Sequence, residues 1–296
     1  MIKIGLIGAG KWGQNIIRSI NKLPDLEISY LCTKHKKPNL DFLSNFQYTQ
    51  DWKKLIASNK VDAVVISTPA ETHYEMLMYA INQKKPVFIE KPHCLSSEEA
   101  NNLLKNAEEK KSIVIIDHIY LFHSDFKTLK NKLTLENKRV FKINAIGGNY
   151  GPFRKNTTVL WDYGPHDIAM IINLLNEEPS KIQVTYQSNK TNISTKKTTI
   201  KIQLNFEIGA VAYIKLSNQL KKRVRLFEVT VGKNKFIFDD TKIVNGIKIY
   251  PLENALMKFK EKILNKEKYS DDLELGLSVI KTIEECQKQI NFQLPP

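Results

Sequence analysis

The feature that most limits what this chain can fold into is Gly8-Ala9-Gly10-Lys11-Trp12-Gly13, together with what flanks it. Ile2–Ile7 ahead of it is apolar enough for a short buried strand. Behind it, Trp12, Ile16, Ile17, Ile20 and Leu23 recur at helical spacing until Pro24 ends the segment. A Gly-x-Gly-x-x-Gly run alone says little, but between a strand and a helix it has the context its mechanism requires. Gly8 then makes the tight turn, Gly10 lets the backbone approach a pyrophosphate, and Gly13 permits close helix–strand packing. Free amides and the positive end of the helix dipole would meet the anion. A purely structural glycine turn is the plainer alternative; the context favours a bound dinucleotide.

The second strand, Leu26–Cys32, ends where an Asp or Glu would hydrogen-bond the ribose hydroxyls and select NAD. Thr33-Lys34-His35-Lys36-Lys37 stands there instead. A hydroxyl and cations suit a 2′-phosphate, so NADP is favoured over NAD, although lysine is abundant throughout the chain. Alternation continues with a strand near Phe46–Tyr48, a helix opened by Asp51, and the apolar strand Ala63–Ile66 ending in Ser67-Thr68-Pro69. A helix over Thr72–Asn82 leads to Val87–Ile89, which runs straight into Glu90-Lys91-Pro92. A buried strand cannot hold that charged pair in its middle, and Pro92 biases Lys91 towards an extended conformation, so the charges mark the strand's carboxyl end. Ligands gather at such ends in open α/β sheets, which makes Lys91 a candidate; a solvated lysine in a turn is the competing reading. Ser96 and Glu99 form a capping box for a helix to about Lys110, and Ile113–Ile116 is the next strand. This order predicts a doubly wound parallel Rossmann sheet over residues 1–120.

Residues 121–296 read differently. Around Val140–Ala145, Ile202–Phe206 and Phe227–Val231, apolar and polar residues alternate with period two, which predicts an α+β domain on a large, mostly antiparallel open sheet. Such a sheet often packs on a partner, so a homo-oligomer, dimer or tetramer, is expected through it. Asp271–Ile290 returns to helix, and the polar stretch Ser188–Lys197 reads as a solvated turn. One segment, Leu160-Trp161-Asp162-Tyr163-Gly164-Pro165-His166-Asp167, is unusually dense in special residues. Pro165 suits a first helical position with Gly164 as N-cap, which places His166 in the first turn and Asp162 in the loop before it. The helix dipole would then keep the imidazole neutral and able to accept a proton, with a nearby carboxylate to orient it. The alternative is that Asp162 and Asp167 complement the dipole while His166 is passive.

Composition narrows the classes. The formal net charge of +14 invites an acidic partner, but the lysines are spread along all 296 residues without an arginine-rich stripe, so no nucleic acid is expected. No apolar run approaches the roughly 20 residues of a membrane span, and the amino terminus lacks a signal-peptide pattern. Cys32, Cys94 and Cys286 have no metal or redox spacing, which fits reduced thiols in a cytoplasmic protein. Asp117, His118 and His123 match no ligand pattern, so no metal is expected.

Taken together and in this order, the Gly8–Gly13 loop, Ser67-Thr68-Pro69 with His73, Glu90-Lys91-Pro92 and Trp161–Asp167 resemble the glucose–fructose oxidoreductase / inositol dehydrogenase (Gfo/Idh/MocA) family. Gly148–Arg154 resembles the subgroup associated with nucleotide sugars and surface-polysaccharide biosynthesis. The acid usual after the family's second strand is absent. The resemblance implies a cofactor set of Gly8, Gly10, Lys11, Trp12, Gly13, Thr33, Lys34, Ser67, Thr68, Pro69, His73, Glu90 and Lys91. It implies Lys91, Asp162 and His166 as the catalytic set, with Lys91 touching both substrate and nicotinamide ribose. Tyr120 and Tyr150 are candidates for lining a sugar site, and Arg154 for a substrate anion, because a guanidinium fork suits phosphate or carboxylate. The expected activity is hydride transfer between NADP or NAD and a sugar hydroxyl or ketone, the sugar being nucleotide-linked. The alternatives are a free polyol or inositol, a tetrapyrrole-like substrate, or a non-catalytic NADP-sensing regulator.

Overall fold

The structure, a computed structural model, describes residues 1–34, 45–135, 140–151, 157–189, 197–240, 251–267 and 271–293. It divides into two compact units, Met1–Ile119 with Tyr250–Leu277, and Tyr120–Ile249 with Ser278–Pro296.

The first unit alternates strand and helix: β1 (Ile2–Ile7), α1 (Lys11–Ile20), β2 (Leu26–Cys32), β3 (Gln47–Thr49), α2 (Trp52–Ile56), β4 (Ala63–Ile66), α3 (His73–Asn82), β5 (Val87–Ile89), α4 (Ser97–Lys110) and β6 (Val114–Ile116). The six strands are all parallel in the order β3-β2-β1-β4-β5-β6. Every residue of β4, β5 and β6 is buried, as a sheet covered on both faces requires. Winding reverses between β1 and β4, whose last residues, Ile7 and Ile66, are register partners. Their carboxyl ends therefore form the switch point where such sheets bind ligands. The helix starts follow local chemistry. Asp51 accepts from the Lys53 and Lys54 amides at 2.9 and 3.2 Å. Ser96 accepts from Glu99 N at 3.1 Å, while the Glu99 carboxylate closes the cap on Leu95 N at 3.0 Å.

The second unit contains α5 (Ser124–Leu135), β7 (Lys142–Tyr150), α6 (Val159–Leu175), β8 (Lys181–Asn189), β9 (Lys197–Asn205), β10 (Val211–Ser217), β11 (Gln219–Val231) and β12 (Asn234–Asp239). Its sheet runs β12-β11-β7-β10-β9-β8, antiparallel throughout except for the central β7–β10 pair. The period-two pattern is realised as a covered and an open face. Ile143, Ala145, Ala212 and Ile214 point into the core, while Lys142, Asn144, Tyr213 and Lys215 point out. The doubly wound α/β unit and the mostly antiparallel second sheet are the fold expected from the sequence.

Two helices close the chain. The first, α7 (Pro251–Leu264), belongs to the Rossmann unit, so a linear division at residue 120 omits this return. The cause is packing: Phe259 lies 5.9 Å from Phe88 of β5, and Lys260 reaches Asp25 at 3.1 Å. The last helix, α8 (Asp272–Gln293), ends against edge strand β8, where the Gln289 amide bonds Val184 N and Ile182 O, both at 3.0 Å, and so blunts the edge. The three cysteines are buried thiols outside any disulfide. Among the described residues no helix is long and apolar enough to cross a membrane.

The start of α6 needs correction. It begins at Val159, capped by Thr158, whose hydroxyl accepts from Trp161 N at 3.4 Å. Pro165 therefore sits inside the helix, where it removes an amide from the ladder and leaves the Trp161 carbonyl without that partner. Asp162 is in the first turn, not in a loop, and His166 lies a turn further in. The dipole argument for a neutral His166 lapses, because the dipole acts only over the first turn.

Candidate active site

In the first unit, the glycine loop divides its labour. Gly8 has φ of +96°, and a Cβ there would stand 2.7 Å from Ser67 O. Only glycine tolerates that combination where β1 meets β4. A Cβ on Gly13 would lie 2.3 Å from Gly8 O, so this residue serves helix–strand packing. Around Gly10 there is open space: a Cβ would meet nothing within 4 Å. Gly10 is the N-cap of α1, without a side-chain cap and with no acid in the first turn. This is a cradle suited to an anion, and it fits a dinucleotide pyrophosphate.

Ser67 Oγ donates to Gly8 O at 2.9 Å, so the β4 end fastens the loop. Thr33 follows β2, with its hydroxyl 3.1 Å from that of Tyr48, and Lys34 beside it is exposed. His35, Lys36 and Lys37, the rest of the cationic cluster, lie outside the described residues. His73 is 1% exposed, with Nδ1 2.7 Å from Pro92 O and Nε2 2.8 Å from Thr68 O. It therefore ties the β4 loop to the Glu90-Lys91-Pro92 segment. Burial pushes its pKa down, against the two carbonyls. Lys91 is half-buried just past β5, as expected of a strand-end lysine.

Sequence reasoning weighed Asp117 only as a metal ligand; it follows β6 and is buried. Trp12 Nε1 donates to its Oδ2 at 2.8 Å, joining the glycine loop to the far edge of the site. Burial, and then the charge of Glu90, hold the Asp117 carboxyl well above its usual range. His93 and His118, also buried, are pushed down to about 3, mainly by desolvation. An acid directly after an apolar strand was the available signal. Among the described residues no group of three or more His, Cys, Asp or Glu is arranged to hold a metal.

In the second unit, Asp162 and His166 are both half-buried and four residues apart on α6, which puts them on one face of the helix. A carboxylate one turn from an imidazole can orient it for proton exchange. Tyr150 is 60% exposed at the end of β7, and Tyr163 donates its hydroxyl to the neighbouring Gly151 carbonyl at 3.0 Å. Tyr120 is only 7% exposed, and its hydroxyl accepts from Arg223 at 3.2 Å. Arg154 lies outside the described residues. Beneath His166 is a second feature that sequence reading missed: Arg225 and Asp167, 2.5 Å apart and 4% and 0% exposed in their side chains. Burial pushes the Asp167 carboxyl up and Arg225 opposes it. At that distance from a group that keeps its proton, the pair is ionised. Its signal was parity, since Arg225 shares the inward face of β11 with Phe227, Val229 and Val231.

The chain is similar to known oxidoreductases. The family model described as an oxidoreductase family with an NAD-binding Rossmann fold matches residues 2–118. The scyllo-inositol 2-dehydrogenase (NADP(+)) IolW of Bacillus subtilis (strain 168) is 25% identical over 66% of this chain and 57% of its own length. The UDP-N-acetylglucosamine 3-dehydrogenase of Acidithiobacillus ferrooxidans is 26% identical over 57% of this chain and 53% of its own. The matches thus span a little over half of both relatives. A solved structure from Magnetospirillum magnetotacticum MS-1, described in general terms as an oxidoreductase, is 27% identical with a TM-score of 0.85, covering 96% of this chain and 99% of that one. Over residues 2–118 this chain is thus similar to the Gfo/Idh/MocA oxidoreductase family.

Proposed function

We propose that this chain is an NAD(P)-dependent oxidoreductase that moves a hydride between nicotinamide and a sugar hydroxyl or ketone, with a nucleotide-linked sugar of surface-polysaccharide biosynthesis as substrate. The observation that carries the reading is the Asp162–His166 pair, one turn apart on α6, in a chain whose other unit holds the open Gly10 cradle. A sensor of bound cofactor has no use for a carboxylate–imidazole pair. A nicotinamide, when bound, supplies the hydride acceptor or donor. The chain's own residues manage position and protons. His166 exchanges the hydroxyl proton as the carbonyl forms, Asp162 fixes the imidazole, and the Lys91 ammonium donates to the same oxygen and stabilises developing alkoxide charge. The roles of Lys91 and His166 are interchangeable in principle, since a desolvated lysine is also a base.

NADP is the favoured cofactor, on the strength of Thr33 and Lys34 where an acid would select NAD. The name of the inositol-acting relative supports a second reading, a free polyol or inositol as substrate. Self-association through the open face of the second sheet, where Tyr213 is 41% exposed, and action in the cytoplasm complete the proposal.

Site variants test it. Lys91→Ala and His166→Ala should each lower turnover by roughly 100- to 10,000-fold. Lys34→Asp should weaken the preference for NADP over NAD. Turnover near wild type in either alanine variant removes that residue from catalysis, and equal wild-type use of both cofactors removes the NADP preference.

A further inference from the structure

Tyr120 has the composition of a sugar-stacking residue but not the exposure. Its ring meets that of His166 edge to face, with centroids 4.9 Å apart and planes at 78°. The Arg225 guanidinium lies over the same tyrosine ring at 4.8 Å from its centroid. Arg223 donates to the hydroxyl at 3.2 Å and is itself paired with Asp240. Phe238 closes on the ring at 6.1 Å. Ring and hydroxyl are thus both held, and the tyrosine is a fixed wall beside the imidazole.

What fixes the wall is the Arg225–Asp167 pair. Asp167 is the residue after His166 on α6, so the ion pair sets the rotation of the helix that carries the imidazole. Room for the pair exists only because position 147 of β7 is glycine. A Cβ there would stand 2.6 Å from Asp167 Oδ2 and 2.9 Å from Arg225 Nη1. Replacing a buried ion pair by well-packed apolar residues generally costs no stability, so stability alone does not account for this one. Its contacts account for it instead: Asp167 neighbours His166 in sequence, and Arg225 covers the ring that His166 touches.

We infer that Tyr120 is a positioning residue for His166, held by the buried Arg225–Asp167 pair, and that it is not a sugar-contacting residue. This rests on the catalytic reading of His166 given above. The charged groups acting on the tyrosine are Arg223, Arg225 and Asp240, with Asp167 paired to Arg225 and Asp162 on the His166 face of α6.

Tyr120→Leu removes the ring, and Tyr120→Phe keeps it while deleting the hydroxyl. The readouts are the imidazole NMR titration of His166, assigned by its absence in His166→Asn, and the kcat and KM of the intact protein. Tyr120→Leu should move the His166 midpoint and lower kcat about tenfold, with substrate KM within about twofold. Tyr120→Phe should return both readouts most of the way to wild type. An unchanged His166 titration in Tyr120→Leu overturns the inference. So does an equal kcat loss in both variants, or a loss confined to KM, since either makes Tyr120 a hydroxyl donor or a substrate contact. If Tyr120→Leu does not fold, Tyr120→Met, which fills the same place with a flexible chain and no ring, decides, and a wild-type His166 titration in it refutes the inference. Wild-type turnover by His166→Asn removes the catalytic reading instead, and the NMR result then stands or falls by itself.

Discussion

Gly10→Ala separates the glycine that serves a ligand from those that serve the fold. Its φ of −67° and ψ of −169° suit any residue, and its Cβ would meet no atom within 4 Å. Two small effects oppose each other in the empty protein. Alanine is a poorer N-cap than glycine by several tenths of a kcal/mol. Its stiffer unfolded chain returns about 0.4–1 kcal/mol. The net change should stay within about 0.5 kcal/mol, or roughly 1–2 °C in Tm. Gly13→Ala has no such freedom: its methyl would lie 2.3 Å from Gly8 O and 2.9 Å from Ser67 Oγ, and a backbone carbonyl cannot swing aside. Overpacking of this kind costs about 1–3 kcal/mol, some 2–10 °C. Binding should invert the ranking of cause. Gly10→Ala should weaken NADPH by tenfold or more, about 1.4 kcal/mol, without loss of fold. Thermal melts without ligand and calorimetric titration with NADPH measure the two effects separately. Wild-type affinity in Gly10→Ala would refute the cradle, and a large fall in its Tm would refute the division of roles.

Acid should destabilise the protein through its buried histidines. His93 and His118 stand at about 3 in the fold, against an ordinary value of about 6.5. The unfolded chain therefore binds more protons between those values, so their contribution is complete above about pH 6.5 and is lost as pH falls. Each should cost about 2 kcal/mol between pH 7 and pH 5, with the raised Asp117 carboxyl acting in the opposite sense, so the measure is the pH slope of the urea midpoint in wild type against His118→Gln; equal slopes contradict the burial of His118. For the ion pair, Arg225→Met alone should cost about 3–5 kcal/mol by leaving Asp167 charged in the core. Arg225→Met with Asp167→Leu should recover most of that in the same urea melts, and a single-variant cost below about 1 kcal/mol would show that the pair is not isolated from water.

The first unit was legible because its signals are local. Strands three to seven residues long, a glycine loop at a strand end and caps at Asp51 and Ser96 each fix their own neighbourhood, and parallel topology follows from alternation. The site was legible where a motif coincided with a strand end, as at Gly8–Gly13 and Lys91. The start of α6 was misplaced because proline and glycine were weighed as boundary residues, while Thr158, an ordinary N-cap seven residues earlier, was overlooked. The Arg225–Asp167 pair and the Trp12–Asp117 bond span 58 and 105 residues of sequence, so no local pattern names the partners. The return of α7 to the Rossmann unit is likewise a long-range packing event, made by Phe259 on Phe88.

The central claim is hydride transfer between nicotinamide and a sugar carbon, and the most direct measurement is a substrate screen. Nucleotide sugars, free hexoses and inositols are offered to the purified chain with NADP and with NAD, following nicotinamide absorbance. The account predicts turnover with at least one nucleotide sugar, a lower KM for NADP than for NAD, and loss of the signal in His166→Ala. Tight NADP binding with no absorbance change on any sugar or polyol would contradict it, and would leave a cofactor-binding protein without the chemistry assigned to His166.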